Sequence, residues 1–358
     1  MRIVITGGAG FVGSTLALAY RERDPRAEIV AFDNLKRRGS ELNLERFRAR
    51  GITFVHGDVR SPDDLAELPR TFDLFIDASA EPSVLAGLGG SPSYLLSTNL
   101  GGTLNCLELV RTRGKAMIFL STSRVYSMAP LRELPLAETA TRLELDPARA
   151  ISGVSARGVA EDFATHLPRS LYGASKLASE LIIQEYASTY GLKAVINRCG
   201  VIAGPGQFGK VDQGVFTLWV AHHVFNKPLK YTGFGGAGKQ VRDLLHPADL
   251  MRALELQLHD IDRLSGQTFN LGGGRPISTS LAELTALCQK LTGNAVAVAS
   301  DPTTSPVDIP WYVTDSSRAE KAFGWKPERS VDAIFGEIHG WLVRERAQLA
   351  GLFGVTTA

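Results

Sequence analysis

Cysteine is scarce and poorly placed for cross-linking: Cys106, Cys199 and Cys288 are far apart and odd in number. They offer neither a disulfide framework nor zinc-ligand spacing, which suits a reducing, cytoplasmic setting. Long apolar runs are missing as well. No stretch approaches the ~18 residues a membrane helix needs, so no membrane association is expected. The first strand pattern begins at Arg2, leaving no room for a signal peptide. An excess of one charge is also lacking. The formal net charge of +2 gives no electrostatic reason to expect nucleic acid, and Lys36-Arg37-Arg38 is the one tight basic cluster. His222-His223 has no matched third ligand, so the pair reads as exposed helix residues and no metal is expected. Internal repeats and low-complexity tracts are absent. What remains is 44% hydrophobic and 21% charged residues over 358 positions, an ordinary globular composition long enough for two domains.

The N-terminal half alternates short apolar runs with helical patterns. Strands are expected at 2–6, 28–32, 53–56, 74–77, 117–120 and 194–197, and helices at 11–21, 62–68, 94–112 and 172–190. This alternation predicts an α/β fold with a doubly wound, Rossmann-type parallel sheet. The strands are continuously apolar, as expected when both faces are covered. Residues 127–170 break the rhythm and hold no convincing strand. They read as an insertion that either folds over the site or elaborates the surface. Beyond 197 the texture changes, with loops at Gly204-Pro205-Gly206 and from Gly233 to Gly238. Helices are expected at 213–225, 247–259, 280–292 and 331–346. The expected division is a dinucleotide-binding domain over 1–196 and a smaller α+β substrate domain over 197–358, with excursions of the chain back to the first.

Gly7, Gly10 and Gly13 follow the first strand and open the first helix. Glycine there allows a tight turn and lets backbone N–H groups approach a pyrophosphate at the helix N-terminus. Asp33 ends the second strand, where a carboxylate accepts hydrogen bonds from an adenosine ribose and repels a 2′-phosphate. NAD is therefore expected over NADP, although the nearby cations of Lys36-Arg37-Arg38 would suit a phosphate. Asp58, after the third strand, would meet the adenine amino group or simply shape a turn. Ala78-Ser79-Ala80 ends the fourth strand with side chains small enough for a cofactor to pass close to the backbone.

Tyr172 and Lys176 stand four apart at a helix start and so share a face. A tyrosine hydroxyl ordinarily titrates near ~10, and a neighbouring ammonium would favour the phenolate and make it a usable base. Ser123, at the end of the fifth strand, would hydrogen-bond the reacting alcohol. Arg242 would fork onto a diphosphate or make a structural salt bridge. Asp243 and Asp249 fit structural roles equally well, and Cys199 reads as a buried small residue. A glycine loop, a hydroxyl cluster and Tyr-x-x-x-Lys, in that order, point to hydride transfer on a nicotinamide.

With these pieces in place the chain resembles the extended short-chain dehydrogenase/reductase family, the nucleotide-sugar epimerases and dehydratases. The resemblance runs over nearly the whole length. It rests on Thr6 to Gly13, Asp33, Asp58, Asn99-Leu100-Gly101-Gly102-Thr103, Ser121 to Tyr126, Tyr172 to Lys176, Arg198, Gly204-Pro205, Arg242 to Asp249 and Phe269-Asn270-Leu271-Gly272-Gly273. It implies a cofactor set of Gly7, Gly10, Phe11, Val12, Gly13, Asp33, Asn34, Arg38, Asp58, Val59, Ala78, Ser79, Ala80, Asn99, Tyr172 and Lys176. The implied substrate set is Ser123, Gln213 and Arg242, for a nucleotide-diphosphate sugar.

Dehydratases of the family carry an acid after the strand, as Thr-Asp-Glu or Thr-Ser-Glu. Here Ser123 and Arg124 stand there, which implies an epimerase. The stretches Phe32-Asp33-Asn34-Leu35, Val55-His56-Gly57-Asp58, Glu138 to Arg142, Val211-Asp212-Gln213-Gly214 and Gly238 to Asp243, with the long insert, are most similar to the branch that inverts carbon 2 of CDP-linked deoxyhexoses, the CDP-tyvelose (CDP-paratose) 2-epimerases. Departures are Ala78-Ser79-Ala80-Glu81 in place of His-Leu-Ala-Gly, Arg198-Cys199-Gly200 in place of a more polar stretch, and Asp308-Ile309-Pro310-Trp311 without the arginine that often follows the aspartate. A carbon-4 epimerase, a dehydrogenase and a non-catalytic NAD-binding sensor are the alternatives. The resemblance also implies a homodimer through the helices after Asn99 and from Tyr172, for which Leu104, Leu107, Leu177 and Leu181 are available.

Overall fold

Short runs of Ile, Val, Phe and Leu with no polar alternation form a sheet covered on both faces. In the computed structural model, which describes residues 1–146, 151–209 and 213–353, seven such runs pair. They are β1 (Arg2–Thr6), β2 (Glu28–Asp33), β3 (Thr53–His56), β4 (Leu74–Asp77), β5 (Ala116–Thr122), β6 (Lys193–Cys199) and β7 (Thr268–Leu271). Their order across the sheet is β7-β6-β5-β4-β1-β2-β3, and all neighbouring pairs are parallel. The order reverses between β1 and β4, which opens a crevice at the carboxyl ends of those strands. Ile3, Ile5, Ile76 and Ile118 pack one face, while Val4, Phe75, Met117 and Phe119 pack the other, all fully buried.

The helix Phe11–Arg23 begins at Gly10 with no side-chain cap, so its first N–H groups stay available. The helix Leu171–Tyr190 is fixed at both ends. Ser170 Oγ accepts from Gly173 N at 3.2 Å, and Gly191 ends it in the left-handed region at φ 67°. The expected helix over 94–112 is a turn at Ser93–Leu96, a π-helical turn at Ser97–Gly101 and an α-helix at Gly102–Arg113. β7 comes from the second half of the chain yet lies beside β6 in the main sheet. A second sheet pairs Val241–Leu245 with Val201–Ile202, Ser278–Ser280 and Trp311–Tyr312.

The reading of 127–170 as strandless is corrected. The segment holds a helix at Met128–Arg132 and two small ladders, Leu136–Glu138 with Leu143–Leu145 and Val154–Ser155 with Gly158–Val159. Strands of two or three residues carry too little periodicity to show in sequence, and neighbours hold them. Val159 N donates to Val313 O at 2.8 Å, and Leu143 N to Lys239 O at 2.9 Å. Tyr126, Leu131, Phe163, Val241, Trp311 and Tyr312 share one core with this segment, so it packs onto the second half of the chain. Residues 147–150 and 210–212, and with them Val211 and Asp212 of the resemblance, lie outside the described residues.

His223 is also corrected. It is fully buried, with Nδ1 2.8 Å from Trp219 O, because its face of the helix Val215–Val224 packs inward.

Candidate active site

The glycine loop is shaped by contacts that exclude side chains. Gly7 has φ 61°, and a Cβ there would lie 2.6 Å from Ala78 O. A Cβ on Gly13 would strike the backbone of Gly7, and one on Gly8 would press on Ala31 at 2.8 Å. The loop therefore touches the Ala78-Ser79 backbone across the β1/β4 crevice. The uncapped amides of Phe11 and Val12 form the anion-seeking end of the first helix. Asp33 sits beside this end: its Oδ2 accepts from Ala9 N at 3.1 Å and its Oδ1 from Leu35 N at 2.7 Å. Burial pushes the Asp33 carboxyl up, while those amides and Gly10 N act against it. Glycines that leave room for a phosphate, donors at a helix start and a carboxylate beside them together fit NAD.

Beyond Asp33, Asn34 Nδ2 donates to Asp58 Oδ2 at 2.9 Å, and Arg60 grips Asp58 bidentately at 2.9 and 2.7 Å. Arg60 holds the Asp58 carboxyl well below the usual carboxylate range. Val59 is buried under Gly102. The three cations that left room for a 2′-phosphate have other partners. Lys36 Nζ lies 2.8 Å over the Tyr94 ring, Arg37 donates to Phe208 O at 3.2 Å, and Arg38 to Gly351 O at 3.4 Å.

Asn99 sits in the π-helical turn, a distortion that re-aims backbone groups. Its side chain accepts from Glu81 N at 2.7 Å and donates to Glu81 O at 3.1 Å and to Ser175 Oγ at 3.1 Å. Its carbonyl accepts from Thr103 and Ser179. The turn thus ties the loop after β4 to the helix that carries Tyr172.

Tyr172 itself departs from expectation. Burial pushes its hydroxyl up to about 12, against a hydrogen bond with Thr122 and the charge of Arg124; Glu81 adds to the rise. The hydroxyl that bears on it is that of Thr122, whose Oγ1 also accepts from Arg124 N at 3.2 Å. The cation that bears on it is Arg124. Lys176, 2% exposed, lies 3.9 Å over the Phe119 ring. Burial pulls the Lys176 ammonium down, opposed by the charges of Asp77 and Glu180. The physical reason is the helix: one turn beyond Tyr172, Lys176 runs down between helix and sheet. Asp77 waits there, fully buried, accepting from Thr6 Oγ1 at 2.8 Å and Ser79 Oγ at 2.7 Å. Ser123 starts the 3-10 turn Ser123–Val125 and is partly buried.

Deeper in, Glu180 accepts from Ser121 and pairs with Arg198 at 2.8 Å, both almost fully buried. Tyr126 Oη donates to Asn270 Oδ1 at 2.6 Å, continuing the network to β7. Arg242, on the second sheet, donates to Asp308 Oδ1 at 3.0 Å and to Ile309 O at 2.6 Å. Asp249 is structural: its carboxylate caps Glu328 N and Arg329 N, each at 3.0 Å. Cys199 is buried, and burial raises its thiol to about 12. Gln213 stands two residues before the helix Val215–Val224, beside residues 210–212.

Comparison with known proteins decides the family. A model of the "NAD dependent epimerase/dehydratase family" matches residues 3–272. The chain belongs to this family. Relatives within it include CDP-paratose 2-epimerase of Salmonella typhi, 30% identical, with 95% of this chain and 99% of that protein covered. A dTDP-glucose 4,6-dehydratase of Salmonella typhimurium is 27% identical, over 95% of this chain and 92% of that protein. The fold matches UDP-glucuronic acid 4-epimerase from Bacillus cereus, solved with UDP-glucuronic acid and NAD, at TM-score 0.78 and 23% identity over 96% of this chain and 99% of that one. Like other members of the NAD dependent epimerase/dehydratase family, this chain is an NAD-dependent enzyme of nucleotide sugars, built on a Rossmann-type sheet.

Proposed function

We propose that the enzyme inverts carbon 2 of a CDP-linked deoxyhexose, interconverting CDP-paratose and CDP-tyvelose, as a cytoplasmic homodimer. The observation that carries an epimerase over a dehydratase lies beside Tyr172. The two positions after Thr122, where elimination would need an acid, are Ser123 and the cation Arg124. The CDP-sugar and carbon 2 rest on the similarity to CDP-paratose 2-epimerase.

NAD, when bound, supplies reversible acceptance of hydride. The amides of Phe11 and Val12 and the carboxylate of Asp33 would hold it, and Lys176 would bind the nicotinamide ribose. Tyr172 takes the proton from the sugar hydroxyl and later returns it. Its hydroxyl starts from about 12, so ionisation awaits the positive charge of the loaded site. Thr122, whose hydroxyl bears on Tyr172, steadies the reacting oxygen, with Ser123 the next hydroxyl able to do so. Gln213 and Arg242 hold the nucleotide end while the oxidised sugar turns its other face.

The test is direct. Denatured protein is assayed for released nucleotide, and fresh enzyme is incubated with CDP-, UDP- and GDP-sugars, products being assigned by NMR. Released NAD with inversion of a CDP-sugar at carbon 2, and no net NADH, is the expected result. Inversion at carbon 4, or of another base's sugar, overturns the substrate. Loss of the 6-hydroxyl as water overturns the epimerase reading, net NADH shows a dehydrogenase, and NAD binding without turnover shows a sensor.

A further inference from the structure

Two guanidinium groups converge on one short segment beside the active site. Arg124 Nη1 donates to Val307 O at 3.3 Å, and Arg242 Nη2 reaches Asp308 Oδ1 and Ile309 O. Arg124 stands two residues after Thr122, and its backbone lies under Gly173, where a Cβ has no room. Arg242 comes from the second sheet, with its side chain 14% exposed. Each half of the chain thus contributes one cation, and the pair faces the same loop.

Among the described residues the two cations share a single salt-bridging carboxylate. Asp308 is the carboxylate paired with Arg242, and its charge also reaches Arg124. Asp243, next in sequence to Arg242, accepts from Gly274 N at 3.0 Å. Burial pulls Arg242 down to about 10 and the charge of Arg124 pulls the same way, while the charges of Asp308 and Asp243 act against them. Two desolvated cations that repel each other gain from an anion that spans them. Arg124's side chain has one hydrogen bond among the described residues, so most of its planar fork remains for a phosphate.

We propose that Arg124 is a second arm of the substrate's diphosphate site, so that the pyrophosphate bridges Arg124 and Arg242. The proposal rests on the nucleotide-sugar reading above and adds a residue to it. Arg124 then does two things with one charge. It fixes the phosphate end of the substrate and places a cation, in place of an acid, next to Tyr172.

Binding without turnover tests this. The NAD-loaded full chain, as wild type, Arg124→Gln and Arg124→Lys, is titrated calorimetrically with CDP, UDP and CMP. Arg124→Gln is expected to lose roughly 10- to 100-fold in affinity for the diphosphates, the scale of a lost charge-assisted hydrogen bond. It should lose much less for CMP, and Arg124→Lys should recover part of the loss. Unchanged CDP and UDP affinity in Arg124→Gln, with only the acid limb of the pH–rate profile moved, overturns the clamp and leaves Arg124 acting on Tyr172. Should Arg124→Gln fail to retain NAD, Arg124→Lys decides: weakened diphosphate binding supports the clamp, and wild-type affinity overturns it. A wild type that binds neither CDP nor UDP overturns the nucleotide-sugar reading itself, an outcome visible before any variant is compared.

Discussion

At the scale of single residues, the site depends on which of three adjacent hydroxyls meets Tyr172. Ser121-Thr122-Ser123 offers three, and nothing in that string says which one turns inward. Ser121 donates to Glu180, Thr122 caps the 3-10 turn by accepting from Arg124 N and bears on the Tyr172 hydroxyl, and Ser123 begins that turn. Thr122→Val is therefore expected to lower kcat by roughly 10²-fold, as loss of a donor at a reacting oxygen does. Ser123→Ala should leave turnover nearly intact, and equal losses in the two variants would refute the assignment. Tyr172 also answers to charges on either side. Glu81 raises its hydroxyl and Arg124 lowers it. Removing a negative charge favours the phenolate, so Glu81→Gln should shift the acid limb of kcat/KM to lower pH. A limb that stays in place would show that Glu81 does not act on the base in the loaded enzyme.

Among the elements, those legible in the sequence were the ones whose own residues suffice to form them. Arg2–Thr6 and Leu74–Asp77 are runs that need two covered faces, Thr53–His56 is a short β-prone run at the sheet edge, and the bounds of all three were readable to the residue. The glycine loop was equally plain, because Gly7 and Gly13 are demanded by backbone that lies against them. The ladders within 136–159 were hidden, since contacts with distant Lys239 and Val313 form them. His223 was misplaced for a related reason: an amphipathic face shows only where a partner covers it. The strand Val241–Leu245 carries a further consequence. Asp243 is fully buried among Gly200, Gly272 and Thr314, and burial raises its carboxyl from 3.8 to about 6. A carboxyl raised by folding contributes stability that is complete below about pH 4 and lost as pH rises through 6. Asp243→Asn removes that dependence. Chemical unfolding at pH 4 and pH 8 should show the wild type losing on the order of 3 kcal/mol between them from this group, and the variant less. Identical slopes in wild type and variant would mean that Asp243 is solvated in solution.

Across the whole molecule, the two halves of the chain interlock: β7 completes the main sheet, Leu16 and Tyr20 share a core with Leu250 and Leu254, and Tyr126, Leu131 and Phe163 pack with Trp311 and Tyr312. The site lies where these joins meet, which is why Arg124 and Arg242, far apart in sequence, reach one loop. The outer surface of the same sheet bears on assembly. Of the four leucines expected to be available for pairing, Leu107 is buried against the sheet and Leu177 packs inward with the insertion's core. Leu104 and Leu181 remain, 38% and 57% exposed, with Leu96 and Tyr190 also exposed on the same two helical stretches. Large apolar side chains left outside on adjacent helices favour burial against a second copy. Sedimentation equilibrium is expected to give twice the chain mass for the wild type. Leu181→Glu puts a charge among these exposed leucines and should give the single-chain mass, with NAD still bound. A wild type that sediments as one chain at every concentration would show that these leucines face solvent. A dimer unaffected by both Leu181→Glu and Leu104→Glu would place the contact elsewhere on the molecule.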